Sequence, residues 1–130
     1  KVRFEDEAQE LLDRAYGGAV RLRDSFMRRA DRRDLLVRLL ANLKGVYLNN
    51  GDHRRALAAV ERILLVTPTA PAENRSRGVL LARLGCHDEA VEQLEDYLQV
   101  SPQAADAPRI GKMLRDLREG VTPPEGYEGL

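Results

Sequence analysis

Residues 51–68 read GDHRRALAAVERILLVTP, and residues 85–102 read GCHDEAVEQLEDYLQVSP. Laid over one another at a shift of 34 residues, Gly51 meets Gly85, His53 meets His87, Ala56 meets Ala90, Glu61 meets Glu95, Leu64 meets Leu98 and Pro68 meets Pro102. A fixed period of this length marks a repeat whose single unit cannot bury its own apolar face and must stack on its neighbours.

Each matched residue has a physical task. Gly51 and Gly85 follow the apolar-periodic stretches 35–49 and 72–84, where a left-handed helix end is cheap only for glycine or asparagine. Ala56 and Ala90 stand one turn into a second helix, and a single methyl there lets two helices cross closely. Pro68 and Pro102 stop that second helix, since proline lacks the N–H donor and clashes with the preceding turn. Asp31 or Asp34 is placed to cap the helix leading into Leu35. Helix, glycine turn, helix and proline at this period resemble the tetratricopeptide repeat.

The apolar residues agree with that register. Leu36, Leu39, Leu40, Leu43 and Tyr47 follow a 3.6-residue period, as do Ala56, Val60, Ile63 and Leu64, and then Ala90, Leu94, Tyr97 and Leu98. After Pro102, residues 105–119 carry Ile110, Met113, Leu114 and Leu117 on one side and charges on the other, as a solvating terminal helix requires. The fold expected is therefore an all-α solenoid of helix-turn-helix repeats with a C-terminal capping helix. Its first repeat spans 35–70, its second 71–104, the cap 105–119 and a loose Gly- and Pro-rich tail 120–130. Three residues depart from the usual unit. Lys44 takes a small-residue position, and Asn74 and Arg77 take positions that are usually large and apolar.

Residues 1–34 do not form a further repeat. Phe4, Ala8, Leu11, Leu12 and Ala15 predict a short amphipathic helix over 4–16, followed by Gly17-Gly18 and an extended stretch with Val20 and Leu22. Arg21, Arg23, Arg28, Arg29, Arg32 and Arg33 make a locally basic segment, read as a solvated linker because no aromatic residues interleave to stack bases. The chain starts at Lys1 with charged residues, which suggests a piece of a longer protein.

Composition narrows the function. Lys+Arg and Asp+Glu both number 21, so the chain has no net charge to attract a polyanion, and nucleic acid is not an expected partner. The one cysteine, Cys86, cannot form an internal disulfide, and no stretch approaches a membrane span; a reducing cytoplasm is the expected compartment. No membrane partner and no cofactor are expected.

The run LLVRLLANLKGVYLNNGDHRRALAAVERILLVTP from Leu35 to Pro68, with RGVLLARLGCHDEAVEQLEDYLQVSP from Arg77 to Pro102, resembles the C-terminal half of bacterial transglutaminase-like proteins with tetratricopeptide repeats. This is the Salmonella-invasion-regulator-B-like group. The likeness covers residues 8–119, and Asn42, Leu43, Lys44 and Tyr47 are its most specific part. It implies that residues 1–30 close an N-terminal papain-like domain whose Cys and His lie outside this chain, so no catalytic residue carries over.

Within the chain no catalytic set assembles. Cys86 beside His87 invites a nucleophile or metal reading. The repeat supplies a plainer one: His53 and His87 share a register position that covers the helix junction. A zinc site wants four ligands, and one Cys and two His a whole repeat apart do not supply them. No catalytic and no metal residues are expected, and this chain is not read as an enzyme. Acid pairs such as Glu92 and Glu95 read as a solvated helix face.

The expected function is protein binding. First helices of stacked repeats line a concave groove, and stepping along them gives Arg38, Ala41, Gly45 and Asn49, then Ala72, Arg75, Val79 and Arg83, then Asp106, Arg109 and Met113. Of these, Arg38, Asn49, Arg75, Val79, Arg83 and Arg109 are the candidate contacts. A protein or peptide bearing carboxylates would suit the arginines through two-pronged hydrogen bonds, and the preceding domain of the same chain is a second candidate occupant. The competing expectation is that the arginines pair internally, with Asp106 or Glu73. At the level of the whole protein, the alternative is a noncatalytic half that positions substrate for a thiol enzyme.

Overall fold

A computed structural model of the protein describes residues 29–121. Five helices run through them: α1 (Arg29–Asn49), α2 (His53–Val66), α3 (Pro71–Arg83), α4 (His87–Val100) and α5 (Ala107–Arg118), with no strand among the described residues. They pack in chain order, α1 on α2, α2 on α3, α3 on α4 and α4 on α5. Two helical hairpins and a closing helix result, which is the all-α repeat architecture that the 34-residue period predicts.

The turns within the hairpins follow from the glycines. Gly51 and Gly85 have φ of 70° and 85°, in the left-handed region. At the first, the Gly51 N–H donates to Leu48 O at 3.1 Å and the Asp52 N–H to Tyr47 O at 2.8 Å. At the second, Gly85 donates to Ala82 O at 3.2 Å and Cys86 to Leu81 O at 2.9 Å. Both pairs satisfy the orphan carbonyls of a helix end in one reciprocal motif. The second helices then start differently. Asp52 Oδ1 accepts from the Arg55 N–H at 3.1 Å, a side-chain cap, whereas Cys86 makes no such bond and leaves the dipole to Asp88 and Glu89 in the first turn. Both helices end before their prolines, at Val66 and Val100.

The core is built at the crossings. Ala56 and Ala90 are both 0% exposed. Ala56 packs with Val60 and Leu80, joining the second helix of one repeat to the first helix of the next. Ala90 belongs to a larger cluster in which Val79, Leu81, Leu94 and Tyr97 meet Ile110, Leu114 and Leu117 of α5. At Gly78 the helices come close: a Cβ there would lie 2.6 Å from Leu94 Cδ2, so α3 and α4 touch through a missing side chain.

One boundary differs from the sequence reading. Helix α1 begins at Arg29 rather than near Leu35, so Asp31 and Asp34 lie inside it and neither is its cap; Asp31 sits in the first turn. The apolar pattern starts at Leu35, but residues 29–34 contain no glycine or proline to stop a helix, and an acid in the first turn favours extending it backward. The amphipathic helix expected over 4–16, the stretch with Val20 and Leu22, and the tail beyond Val121 lie outside the described residues.

Candidate functional site

The first helices of the array lie side by side, and two polar links fasten them. Lys44 of α1 is 7% exposed, and its Nζ donates to Glu73 Oε1 at 3.0 Å, to Glu73 Oε2 at 3.2 Å and to Ser76 Oγ at 3.3 Å. Ser76 Oγ in turn donates to Ala72 O at 3.0 Å. One period later stands Gly78, so at this register one repeat achieves close packing by absence and the other inserts an ammonium. A buried ammonium is tolerable only when paired and hydrogen-bonded, and Lys44 is both.

The second link ties α3 to the start of α5. Arg75 Nη1 donates to Asp106 Oδ2 at 2.8 Å, and the Tyr97 hydroxyl donates to Asp106 Oδ1 at 2.6 Å. Both Arg75 and Asp106 are largely enclosed, at 14% and 13% side-chain exposure. Burial by itself pushes the Asp106 carboxyl up, but the hydrogen bond from Tyr97 and the hydrogen bond and charge of Arg75 outweigh it and hold the carboxyl below its ordinary value. Burial likewise raises the Tyr97 phenol, and the neighbouring Asp106 carboxylate adds to that rise.

These links sort the candidate groove residues. Arg38 and Asn49 of α1 and Arg109 of α5 are exposed, as are Ala41 and Ala72, while Arg83 is half-buried. A Cβ added at Gly45 would meet nothing within 4 Å, so the middle of the α1 face opens onto free space. Val79 is not a lining residue: at 3% exposure it packs in the cluster with Leu94 and Tyr97, because the close α3–α4 crossing at Gly78 draws its neighbour inward. Arg75 is committed to Asp106, one of the internal pairings weighed for it, whereas Glu73 pairs with Lys44.

Sequence reasoning flagged Lys44 as irregular but did not foresee its partner, which lies on another helix and carries no local signal. Arg77 behaves as its amphipathic chemistry suggests, laying its stem over the α3–α4 junction and reaching Gln93 Oε1 at 2.8 Å and Glu61 Oε2 at 3.4 Å. The Cys86 thiol is exposed, and His53 and His87 are half-buried at matching positions. Among the described residues, no three His, Cys, Asp or Glu side chains are grouped to hold a metal, and no helix is long and apolar enough to cross a membrane.

Helical hairpins closed by left-handed glycines, crossing at Ala56 and Ala90 and leaving a row of first helices open, define a helical-repeat scaffold. A family model for the tetratricopeptide repeat matches residues 43–115, more than half of the chain. The chain belongs to the tetratricopeptide-repeat family, whose members generally serve as protein-interaction modules.

Curated relatives include a UPF0162 protein of Xylella fastidiosa, 34% identical over 117 residues, which are 85% of this chain and 42% of the relative. A UPF0162 protein of Pasteurella multocida is 28% identical over 120 residues, 89% of this chain and 46% of the relative. The UPF0162 protein YchA of Escherichia coli K12 is 30% identical over 74 residues, 57% of this chain and 28% of the relative. The chain thus spans less than half the length of these relatives. No solved structure matches it.

Proposed function

We propose that the chain is a noncatalytic protein-interaction module that holds an extended segment, or a neighbouring domain, along the face formed by α1, α3 and α5. The observation that supports this most is the openness of the face around Gly45, flanked by exposed Arg38, Ala41, Asn49 and Ala72, on a row of helices fixed by the Lys44–Glu73 and Arg75–Asp106 pairs. A row held rigid in advance spares a partner the entropy of ordering it. Arg38 and Arg109 are exposed on this face and supply its positive charge toward a carboxylate-bearing partner. The single exposed thiol of Cys86 suits a reducing cytoplasm.

The test is calorimetric titration with an acetylated hexaglutamate peptide at low and high salt. Arg38→Glu with Arg109→Glu should abolish binding, while Arg54→Glu with Arg55→Glu on α2 should leave it intact, and the wild-type affinity should fall as salt rises. Equal losses from the two pairs, or none from the first, would show that binding does not use this face.

A second reading concerns the whole protein. The Xylella relative is more than twice as long as the stretch matched, with 42% of it covered, which leaves room for a further domain in that relative. On this reading the repeats position substrate for a transglutaminase-like thiol domain of the Salmonella-invasion-regulator-B-like kind. A Cys, His and Asp set upstream in the native gene, together with thiol-dependent acyl transfer by the full-length product, is its test; absence of both leaves the scaffold reading alone.

A further inference from the structure

The tetratricopeptide unit usually carries a large apolar side chain where Asn74 stands. The equivalent residue one period earlier, Leu40, fills that place and is 1% exposed. In the second repeat the missing bulk is seen as a cavity of about 250 Å³ between the start of α3 and the last turns of α4. Pro68, Pro71, the Tyr97 ring and Val100 give it apolar surface; Asn74 forms a wall and Asp96 stands on the rim. Val100 is 74% exposed, an apolar side chain left in water at the mouth.

The wall is braced rather than collapsible. Asn74 Nδ2 donates to Ala70 O at 3.1 Å and to Pro68 O at 3.3 Å, Gln93 Nε2 donates to Asn74 Oδ1 at 3.3 Å, and Arg77 Nη1 donates to Gln93 Oε1 at 2.8 Å. These amides are satisfied within the protein, so the hollow persists without an occupant. Its surroundings carry more negative than positive charge. Asp96 is exposed and in no ion pair among the described residues, and it also borders a polar hollow of about 220 Å³ lined by Glu89 and Glu92. The one cation there, Arg77, already serves Glu61 at 3.4 Å and Glu89 at 3.7 Å.

We propose that this cavity is a socket for an arginine side chain presented by a partner protein. The aliphatic stem lies on Pro68, Tyr97 and Val100, and the guanidinium meets the Asp96 carboxylate. A purely apolar occupant would bury that carboxylate without a partner, and the planar guanidinium matches a carboxylate with two parallel hydrogen bonds where an ammonium offers a point charge. The socket shares α3 with the first-helix face but opens at the α3–α4 junction and uses neither Arg38 nor Arg109.

The experiment is a titration of the full chain, followed by ¹H–¹⁵N spectra, with the probe acetyl-Gly-Arg-Gly-amide and with its citrulline and leucine counterparts. The arginine probe should bind in roughly the millimolar range, with saturable shifts gathered at Asn74, Gln93, Asp96 and Val100. The citrulline probe should bind at least about fivefold more weakly, for want of a charge-assisted bond. Asp96→Asn, at an exposed position, should bring arginine down to the citrulline level. Asn74→Leu, checked for retained helicity by circular dichroism, should fill the socket and abolish the shifts. Arg38→Glu with Arg109→Glu should change nothing, which separates failure of the socket from failure of the first-helix face. Equal binding of arginine and citrulline, tighter binding of leucine, shifts located elsewhere, or an unaffected Asp96→Asn variant would overturn the proposal.

Discussion

Lys44 Nζ lies 3.0 Å from Glu73 Oε1, joining the first helices of two successive repeats at a point where both side chains are nearly excluded from water. Removing one partner strands the other, and the cost of that is larger than the net worth of the pair. Lys44→Ala should therefore destabilise the fold by about 2 to 4 kcal/mol, whereas Lys44→Met with Glu73→Leu should recover most of the loss. Urea midpoints of the single and double variants give the coupling; a double variant as unstable as Lys44→Ala would mean that the loss comes from packing rather than from a stranded charge.

Two helical glycines should respond in opposite senses. Gly78→Ala places a methyl 2.6 Å from Leu94 Cδ2 and should cost about 1 to 3 kcal/mol through overpacking. Gly45→Ala meets nothing within 4 Å and should stabilise by about 0.5 to 1 kcal/mol through helix propensity alone. Thermal melts of both variants, on one day and in one buffer, make the comparison; the same sign for both would refute the crossing geometry.

The Asp106 cluster sets a pH dependence at each extreme. The folded Asp106 pKa lies below 3.8, so its contribution is fully present above 3.8 and is lost as pH falls through the lower folded value. The folded Tyr97 pKa lies above 10.0, so its contribution is present below 10.0 and fades as pH rises from there through the higher folded value. Tyr97→Phe should be less stable than wild type at neutral pH. The gap should narrow both in strong acid and above pH 10, as denaturant midpoints across the range would reveal. A gap constant from acid to alkali would exclude the hydroxyl as its source.

Overpacking at the repeat crossings provides a fourth check. Ala56 and Ala90 have no exposed surface, so Ala56→Leu and Ala90→Leu should each cost about 1 to 3 kcal/mol. Glu92→Ala, on the exposed side of α4, should fall within about 0.5 kcal/mol of wild type. Equilibrium unfolding of the three variants tests the register of both repeats at once.

Most of the fold was legible because the repeat is enforced by backbone requirements. Gly51, Gly85, Pro68 and Pro102 act within a turn or two of where they stand, and Ala56 and Ala90 recur at a period that any observer can count. The start of α1 was misplaced because apolar spacing marks where a helix is buried, not where it begins. The candidate face was harder to read, since its decisive pairings join residues 29 and 31 positions apart, Lys44 with Glu73 and Arg75 with Asp106. Charge at one position says nothing of which opposite charge the fold will bring to it. Val79 shows the same limit in apolar form: it shares a stripe with the exposed Ala72, yet it is 3% exposed and packs with Leu94 and Tyr97 beside the close approach at Gly78.

The mainly sequential packing of α1 to α5 also bears on how the chain reaches this state. Contacts made mainly between adjacent helices close short loops, so little chain entropy must be lost before the first favourable contact forms, and folding should be rapid. Such an array would ordinarily zip and fray from its ends. The Lys44–Glu73 and Arg75–Asp106 pairs skip a helix, linking α1 to α3 and α3 to the entrance of α5, so opening either end must also break an enclosed charge pair. Hydrogen exchange should accordingly show α3 and α4 opening last, with terminal helices that unlatch in a step rather than melt residue by residue.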